Sequence, residues 1–189
     1  EIYSCGKNAN LNLAVDSSAY YYVLTPSWSG IDIAAPSSAQ YNVFAVSRSH
    51  ALAVDSSGSV WAVGNNNDGC LGIDNPDGTH IASTPVQVSG LSNVVSVYNN
   101  YACSFALDDG GALYAWGNNS HGNLGLGDTT DRLTPTLVSG ISVVIGMDVS
   151  QAHTAIIQDD NKLYTCGNNQ AGQLGVGDKI NRDVFVEVS

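Results

Sequence analysis

Short apolar runs of four to six residues recur along the whole chain, each closed by Gly, Asn, Asp or Ser. Val94-Val95-Ser96-Val97, Phe105-Ala106-Leu107 and Leu113-Tyr114-Ala115-Trp116 show the type. Runs this short, rich in β-branched and aromatic residues and bounded by turn formers, predict strands. No stretch keeps a helical period. Where two runs flank an acidic turn they read as a hairpin, as at Leu52–Val54 and Val60–Val63 around Asp55. The same reading gives hairpins near Asp108 and Asp159, and a fourth near Asp16 from Leu13–Val15 and Tyr20–Leu24. Ile2–Cys5 reads as an isolated strand whose partner would lie upstream of residue 1.

The pattern repeats. Val60–Gly72, Leu113–Gly125 and Leu163–Gly175 superpose as a strand, a Gly-Asn-Asn turn and a Gly-x-Leu-Gly turn. The first turn glycines, Gly64, Gly117 and Gly167, lie 53 and 50 residues apart. The second turn carries Gly69 and Gly72, Gly122 and Gly125, and Gly172 and Gly175. A Pro-containing strand follows, then Ser-Gly-Leu/Ile, a β-branched run and the next hairpin. Four strands in a period of about 50 residues predict one antiparallel propeller blade. The fold expected is all-β: a partial β-propeller of about three and a half four-stranded blades. Residues 1–40 form a degenerate N-terminal segment of it, and 41–189 carry the clear repeats.

The turn residues carry a backbone reason, since closely spaced turns need positive φ, which Gly and Asn tolerate best. A phosphate cradle is the alternative reading of the glycines. It fails for want of a following Lys-Ser/Thr and an amphipathic helix.

Those residues resemble the repeat of the regulator of chromosome condensation family. Its pattern runs Gly-x-Asn-x-x-Gly-Gln-Leu-Gly-x-Gly-Asp, then a Pro strand, Gly-Leu, a strand and His-Thr. Gly167 to Asp178 matches it almost throughout, and Gly117 to Asp128 departs only at Asn123. His153-Thr154 supplies the His-Thr element, His50-Ala51 a weaker copy, and Cys103-Ser104 replaces it in the middle period. Kelch repeats share the period but not these motifs. Family members form seven-bladed rings, so the resemblance implies half a ring here. Some members are exchange factors for small GTPases, which the resemblance adds as an alternative activity.

Composition narrows the function classes. Six Lys plus Arg stand against seventeen Asp plus Glu, a formal charge of -11. So few cations cannot build the basic stripe that neutralises phosphate, so no direct nucleic-acid partner is expected. The same shortage, and the absence of any long apolar run, argue against membrane docking or insertion. With 43% hydrophobic residues the chain is not read as disordered. It has no initiating Met and no signal-peptide pattern, so it reads as processed or as a piece of something longer.

Candidate chemistry is sparse. His50 and His153 sit at equivalent repeat positions, which favours a role in holding strands together, while His121 and His80 read as solvated turn and loop residues. Metal ligands must converge, and residues placed once per blade do not. Neither a metal nor a cofactor is expected. Cys5, Cys70, Cys103 and Cys166 show no Cys-x-x-Cys spacing; buried free thiols are weighed against disulfides. The even cysteine count, scarce Lys and the sequon Asn118-Asn119-Ser120 lean toward an extracellular setting. Asp128 and Asp178 are expected to cap backbone amides of the glycine motif. No hydrolase, metalloprotease or EF-hand motif is present, so the chain is not read as an enzyme.

Loops on a rigid scaffold carry recognition. The loop Asp74 to His80 is three residues longer than its counterpart, so Asp74, Asn75, Asp77 and His80 are candidate contacts. Tyr20, Tyr22 and Trp28 form a second candidate cluster. The expected function is a non-catalytic module that binds protein, other copies of itself included. The alternative is an extracellular filament subunit in which the orphan strand Ile2–Cys5 completes a neighbour's unfinished C-terminal blade.

Overall fold

The computed structural model describes residues 3–7, 20–26, 28, 30–34, 42–74 and 80–188. Strands β1 (Tyr3–Lys7) and β2 (Tyr20–Pro26) pair into a two-stranded sheet, here blade I. Blade II comprises β3 (Phe44–Val46), β4 (His50–Val54), β5 (Val60–Asn65) and β6 (Ile81–Val88). Blade III comprises β7 (Val94–Asn99), β8 (Cys103–Asp108), β9 (Leu113–Gly117) and β10 (Arg132–Leu137). Blade IV comprises β11 (Val144–Val149), β12 (His153–Gln158), β13 (Leu163–Gly167) and β14 (Arg182–Glu187). All neighbouring strands are antiparallel. The chain is a partial β-propeller.

Blade boundaries do not follow the sequence period. Each period starts at a blade's third strand and ends with the second strand of the next blade. This offset corrects three expectations. Val184–Val188 does not leave a blade unfinished, because β14 is the fourth strand of its sheet. Ile2–Cys5 was expected to stand isolated, but Tyr3–Lys7 pairs with Tyr20–Pro26. The hairpin expected around Asp16 loses its second arm, since Tyr20–Pro26 is taken by that pairing; residues 8–19 lie outside the described part. The proposed completion of one copy's last blade by another's orphan strand therefore loses both of its halves.

The register shows what the N-terminal segment copies. Gly6 pairs with Tyr21 as Gly117 pairs with Arg132 and Gly167 with Arg182, fifteen residues apart in each case. Thr25 and Pro26, opposite Ser4 and Tyr3, then correspond to Thr136 and Leu137, opposite Ala115 and Tyr114, and Ser29-Gly30-Ile31 aligns with Ser139-Gly140-Ile141. Gly30 has φ 83°, close to Gly90 at 81° and Gly140 at 77°. Blade I thus has the spacing of a repeat with its glycine-turn residues replaced.

The core lies between blades. Side chains alternate along a strand, so a sheet flanked on both sides buries both faces. On β4, Leu52 and Val54 pack with Val94, Val97, Ala106 and Trp116 of blade III. Ala51 and Ala53 point the other way, with Val63 and Trp28. Phe105, Leu107, Leu113 and Ala115 of blade III meet Val144 and Ile156 of blade IV. Each fully buried aliphatic such as Leu52 contributes about 1.5–3 kcal/mol.

Candidate recognition face

Strand direction places two sets of connections on one face of the propeller: the short turns between first and second strands, and the glycine loops between third and fourth. The short turns are Ser47-Arg48-Ser49, Asn100-Tyr101-Ala102 and Ser150-Gln151-Ala152. Ser47 N–H donates to His50 O, Asn100 N–H to Cys103 O and Ser150 N–H to His153 O, at 3.0–3.1 Å. The last residue of each turn accepts from the Asn after the strand-end glycine: Asn65 to Ser49 O, Asn118 to Ala102 O and Asn168 to Ala152 O. A Cβ on Gly117, where φ is 96°, would sit 2.8 Å from Cys103 Cα, so this approach demands glycine.

The glycine loops are built alike. In blade III, Asn119 Oδ1 accepts from Leu124 N–H at 2.9 Å and its Nδ2 donates to Asp128 O at 2.9 Å. Asn169 makes the same bonds to Leu174 and Asp178. Asp128 accepts from Thr130 N–H and Asp178 from Ile180 N–H, both at 2.9 Å. Arg132 pairs with Asp128 at 2.7 Å and Arg182 with Asp178 at 2.5 Å. The Arg132 hydrogen bond and Thr130 amide hold the Asp128 carboxyl below its ordinary range; the Ile180 amide and Arg182 do so for Asp178. The loops also touch the following blade: a Cβ on Gly122 would meet Asp183 Cα at 2.6 Å, whereas at Gly172 the nearest atom is 4.0 Å away.

Junctions between blades II, III and IV are fastened by polar bonds at equivalent positions. Cys70 O in the blade II turn accepts from Ser104 Oγ at 2.7 Å and from Trp116 Nε1 at 2.9 Å. Asn123 O in the blade III turn accepts from Thr154 Oγ1 at 2.8 Å and from the Cys166 thiol at 3.5 Å. Ser49 Oγ donates to Tyr101 O, and Asn100 Nδ2 to Ser150 O. His50 is fully buried, with Nε2 2.7 Å from Ser104 Oγ. The Ser104 proton is committed to Cys70 O and that of Ser49 to Tyr101 O, so His50 Nε2 is the donor and Nδ1 accepts from Ser47. Burial holds the imidazole neutral, with its pKa down at about 3. His153 is half-buried, its Nδ1 2.6 Å from Ser150 Oγ.

These bonds leave the turn tips as the variable part of a fixed frame. Arg48, Tyr101 and Gln151 occupy the same position in three blades and all three are exposed. The Arg48 guanidinium lies 5.8 Å from the Tyr101 ring centroid. Beside them a groove of about 370 Å³ is lined by Asp68, Tyr101, Asn118, Ser120, His121 and Gln151, among others. Comparing Ser-Arg-Ser-His, Asn-Tyr-Ala-Cys and Ser-Gln-Ala-His would have exposed this row in the sequence, but motif searching passes over a position that varies. A groove of about 440 Å³ on the opposite face, lined by Gly110–Leu113 and Leu137–Val143, holds no titratable side chain.

The residues singled out from sequence do not gather here. Asp74 and His80 are exposed, while Asn75 and Asp77 lie outside the described residues. Tyr20 and Tyr22 are on β2, and their side chains fall outside the described part. Trp28 corrects its candidacy as a contact: it is 3% exposed and meets Phe44 of blade II edge-on at 5.3 Å.

The groove is suited to recognition. Ser120 Oγ donates to Asn118 Oδ1 at 2.8 Å, so the contact to His121 Nδ1 at 3.0 Å does not activate a nucleophile. Cys70, Cys103 and Cys166 are free and buried. Burial pushes the Cys70 and Cys103 thiols up to about 12 and raises Cys166 as well, which keeps them unreactive. Among the described residues no group of three or more His, Cys, Asp or Glu is placed to hold a metal ion.

The sequence pattern of the regulator of chromosome condensation (RCC1) repeat matches residues 57–107, 110–157 and 160–186. The chain belongs to this family. It is 36% identical over 85 residues to the ultraviolet-B receptor UVR8 of Arabidopsis thaliana, covering 45% of this chain and 19% of that protein. Two solved propellers superpose on 99% of the chain, each with a TM-score of 0.81: human WBSCR16 at 20% identity and yeast RCC1 (Prp20), bound to Kap60, at 15%. The RCC1-repeat chain covers 48% and 44% of those two chains, and the likeness establishes the fold.

Proposed function

We propose that this segment of RCC1 repeats is a non-catalytic protein-binding surface, and that it binds through the face carrying Arg48, Tyr101 and Gln151. The observation that carries this reading is the contrast within each short turn. Its flanking positions are tied into the frame by hydrogen bonds, while its tip is exposed and differs from blade to blade. Varied side chains on a rigid scaffold are how loops recognise partners. Yeast RCC1 (Prp20), which shares this fold, is solved in complex with another protein, Kap60. Filament assembly and nucleotide exchange remain readings of the sequence alone, and the groove supplies no side chain that favours either.

Affinity capture from the native cells, with the whole chain as bait, tests the reading. Tyr101→Ala combined with Gln151→Ala should lose the captured partner. Asp109→Asn, on an exposed hairpin of the opposite face, should keep it. A captured set unchanged by the double substitution would overturn the assignment of this face.

A further inference from the structure

We propose that the groove binds the cationic side chain of an arginine or lysine presented by a protein partner, with Asp68 as counterion and Tyr101 as platform. The proposal rests on the reading that this face binds protein, and adds the chemistry of what it binds.

Asp68 sits in the blade II glycine turn, half-buried, and lines the groove. Its carboxylate makes no hydrogen bond or ion pair among the described residues. The carboxylates of the blade III and blade IV glycine loops are committed. Asp128 and Asp178 each hold an arginine of their own loop, and Asp131 accepts from Asn119 N–H at 2.7 Å. Asp131 is also near enough to act on Asp68: burial, then the like charge of Asp131, raise the Asp68 carboxyl. A partly desolvated carboxylate beside a second one is a place where an added cation relieves both costs.

Tyr101 supplies the other half. It is 49% exposed, and the position of Arg48 shows that a guanidinium can rest over this ring. Gln151, Ser120 and Asn118 add neutral polar groups for the donors of a guanidinium or ammonium head. The chain's formal charge of -11 steers a basic segment toward the surface and repels a phosphorylated one. A divalent ion is a poorer fit, since it needs several converging oxygens and Asp68 stands without a second free carboxylate in the groove lining.

The test is an amide NMR titration of the whole chain with N-acetyl-arginine methylamide, against the neutral citrulline analogue. The arginine probe should shift Asp68, Tyr101 and His121, while the citrulline analogue leaves them in place. Asp68→Asn should weaken the arginine probe about tenfold, the loss of one charge-assisted bond. Tyr101→Ala should weaken it about threefold. Asp131→Asn keeps an oxygen for Asn119 N–H and should give a smaller loss than Asp68→Asn. Equal responses to the two probes, or an Asp68→Asn chain that titrates like the parent, would overturn the proposal. Partner capture separates the two claims. Capture that needs Tyr101 and Gln151 but tolerates Asp68→Asn keeps the face and removes the cation; capture indifferent to all three removes both.

Discussion

The junction of blade II with blade III and its junction with blade I use the same two positions for opposite chemistry. Toward blade II, Ser104 and Trp116 of blade III donate to Cys70 O, while His50 closes the network. Toward blade I, blade II presents Ala51 and Val63 at those positions, packed with Trp28 in an apolar cluster. Blade III meets blade IV in the polar manner, through Asn123 O with Thr154 and Cys166. The difference tracks the glycine turn. Residues 7–20 span the same fifteen-residue register as residues 118–131 and 168–181, yet contain no glycine. Where the glycine-turn residues are absent from the sequence, the two donors are absent with them. A buried hydroxyl or indole N–H without an acceptor is costly, so the two features are retained or lost as one unit.

The largest expected effect comes from removing the indole. Trp116→Ala should cost about 4 kcal/mol, the upper part of the range for a buried large residue, while Val63→Ala at the apolar junction should cost about 2 kcal/mol. Urea unfolding of the two variants measures both; equal losses would mean that neither the larger volume of the indole nor its bond to Cys70 O strengthens the polar junction.

A second effect is acid sensitivity confined to the polar junction. Unfolded, His50 gains its proton near pH 6.5; in the folded junction it resists protonation down to about pH 3. The unfolded state therefore binds more protons in that window, so stability is full above it and falls as pH drops through it. Roughly 3 kcal/mol should be lost between pH 7 and pH 4 on this account. His50→Gln should flatten that part of the pH profile, and a profile unchanged by the substitution would remove His50 as its source.

The smallest effect sharpens the comparison most. Ala51→Ser restores the donor of the polar junction on the side where the glycine turn is replaced. It should destabilise by about 1–2 kcal/mol, the cost of a buried hydroxyl without a partner. A neutral or stabilising result would reveal an acceptor in blade I and break the coupling between turn and donors.

Much of this architecture is legible in the sequence because strands and tight turns are local. Alternation marks each strand, and the spacing of Gly64, Gly117 and Gly167 marks the repeat. Positive φ at those residues follows from turn geometry alone. Trp28 shows where local reading stops: an indole beside a Ser-Gly turn reads equally as an exposed anchor or a core residue, and only its contact with Phe44 decides. The row of exposed turn tips was missed for a related reason, since Arg48, Tyr101 and Gln151 are unlike one another and share only a place in the frame.

The sequence by itself determined the strands and turn residues of 41–189 and the four-stranded blade as the repeating unit. Each depends on interactions spanning a few residues. The tertiary structure decided which strands share a blade, that β1 pairs with β2, and that the glycine turns serve the next blade as carbonyl acceptors. The last of these depends on hydrogen bonds between residues 34 and 46 positions apart, Ser104 to Cys70 O and Trp116 to Cys70 O, whose partners are brought together only by stacking one sheet on the next.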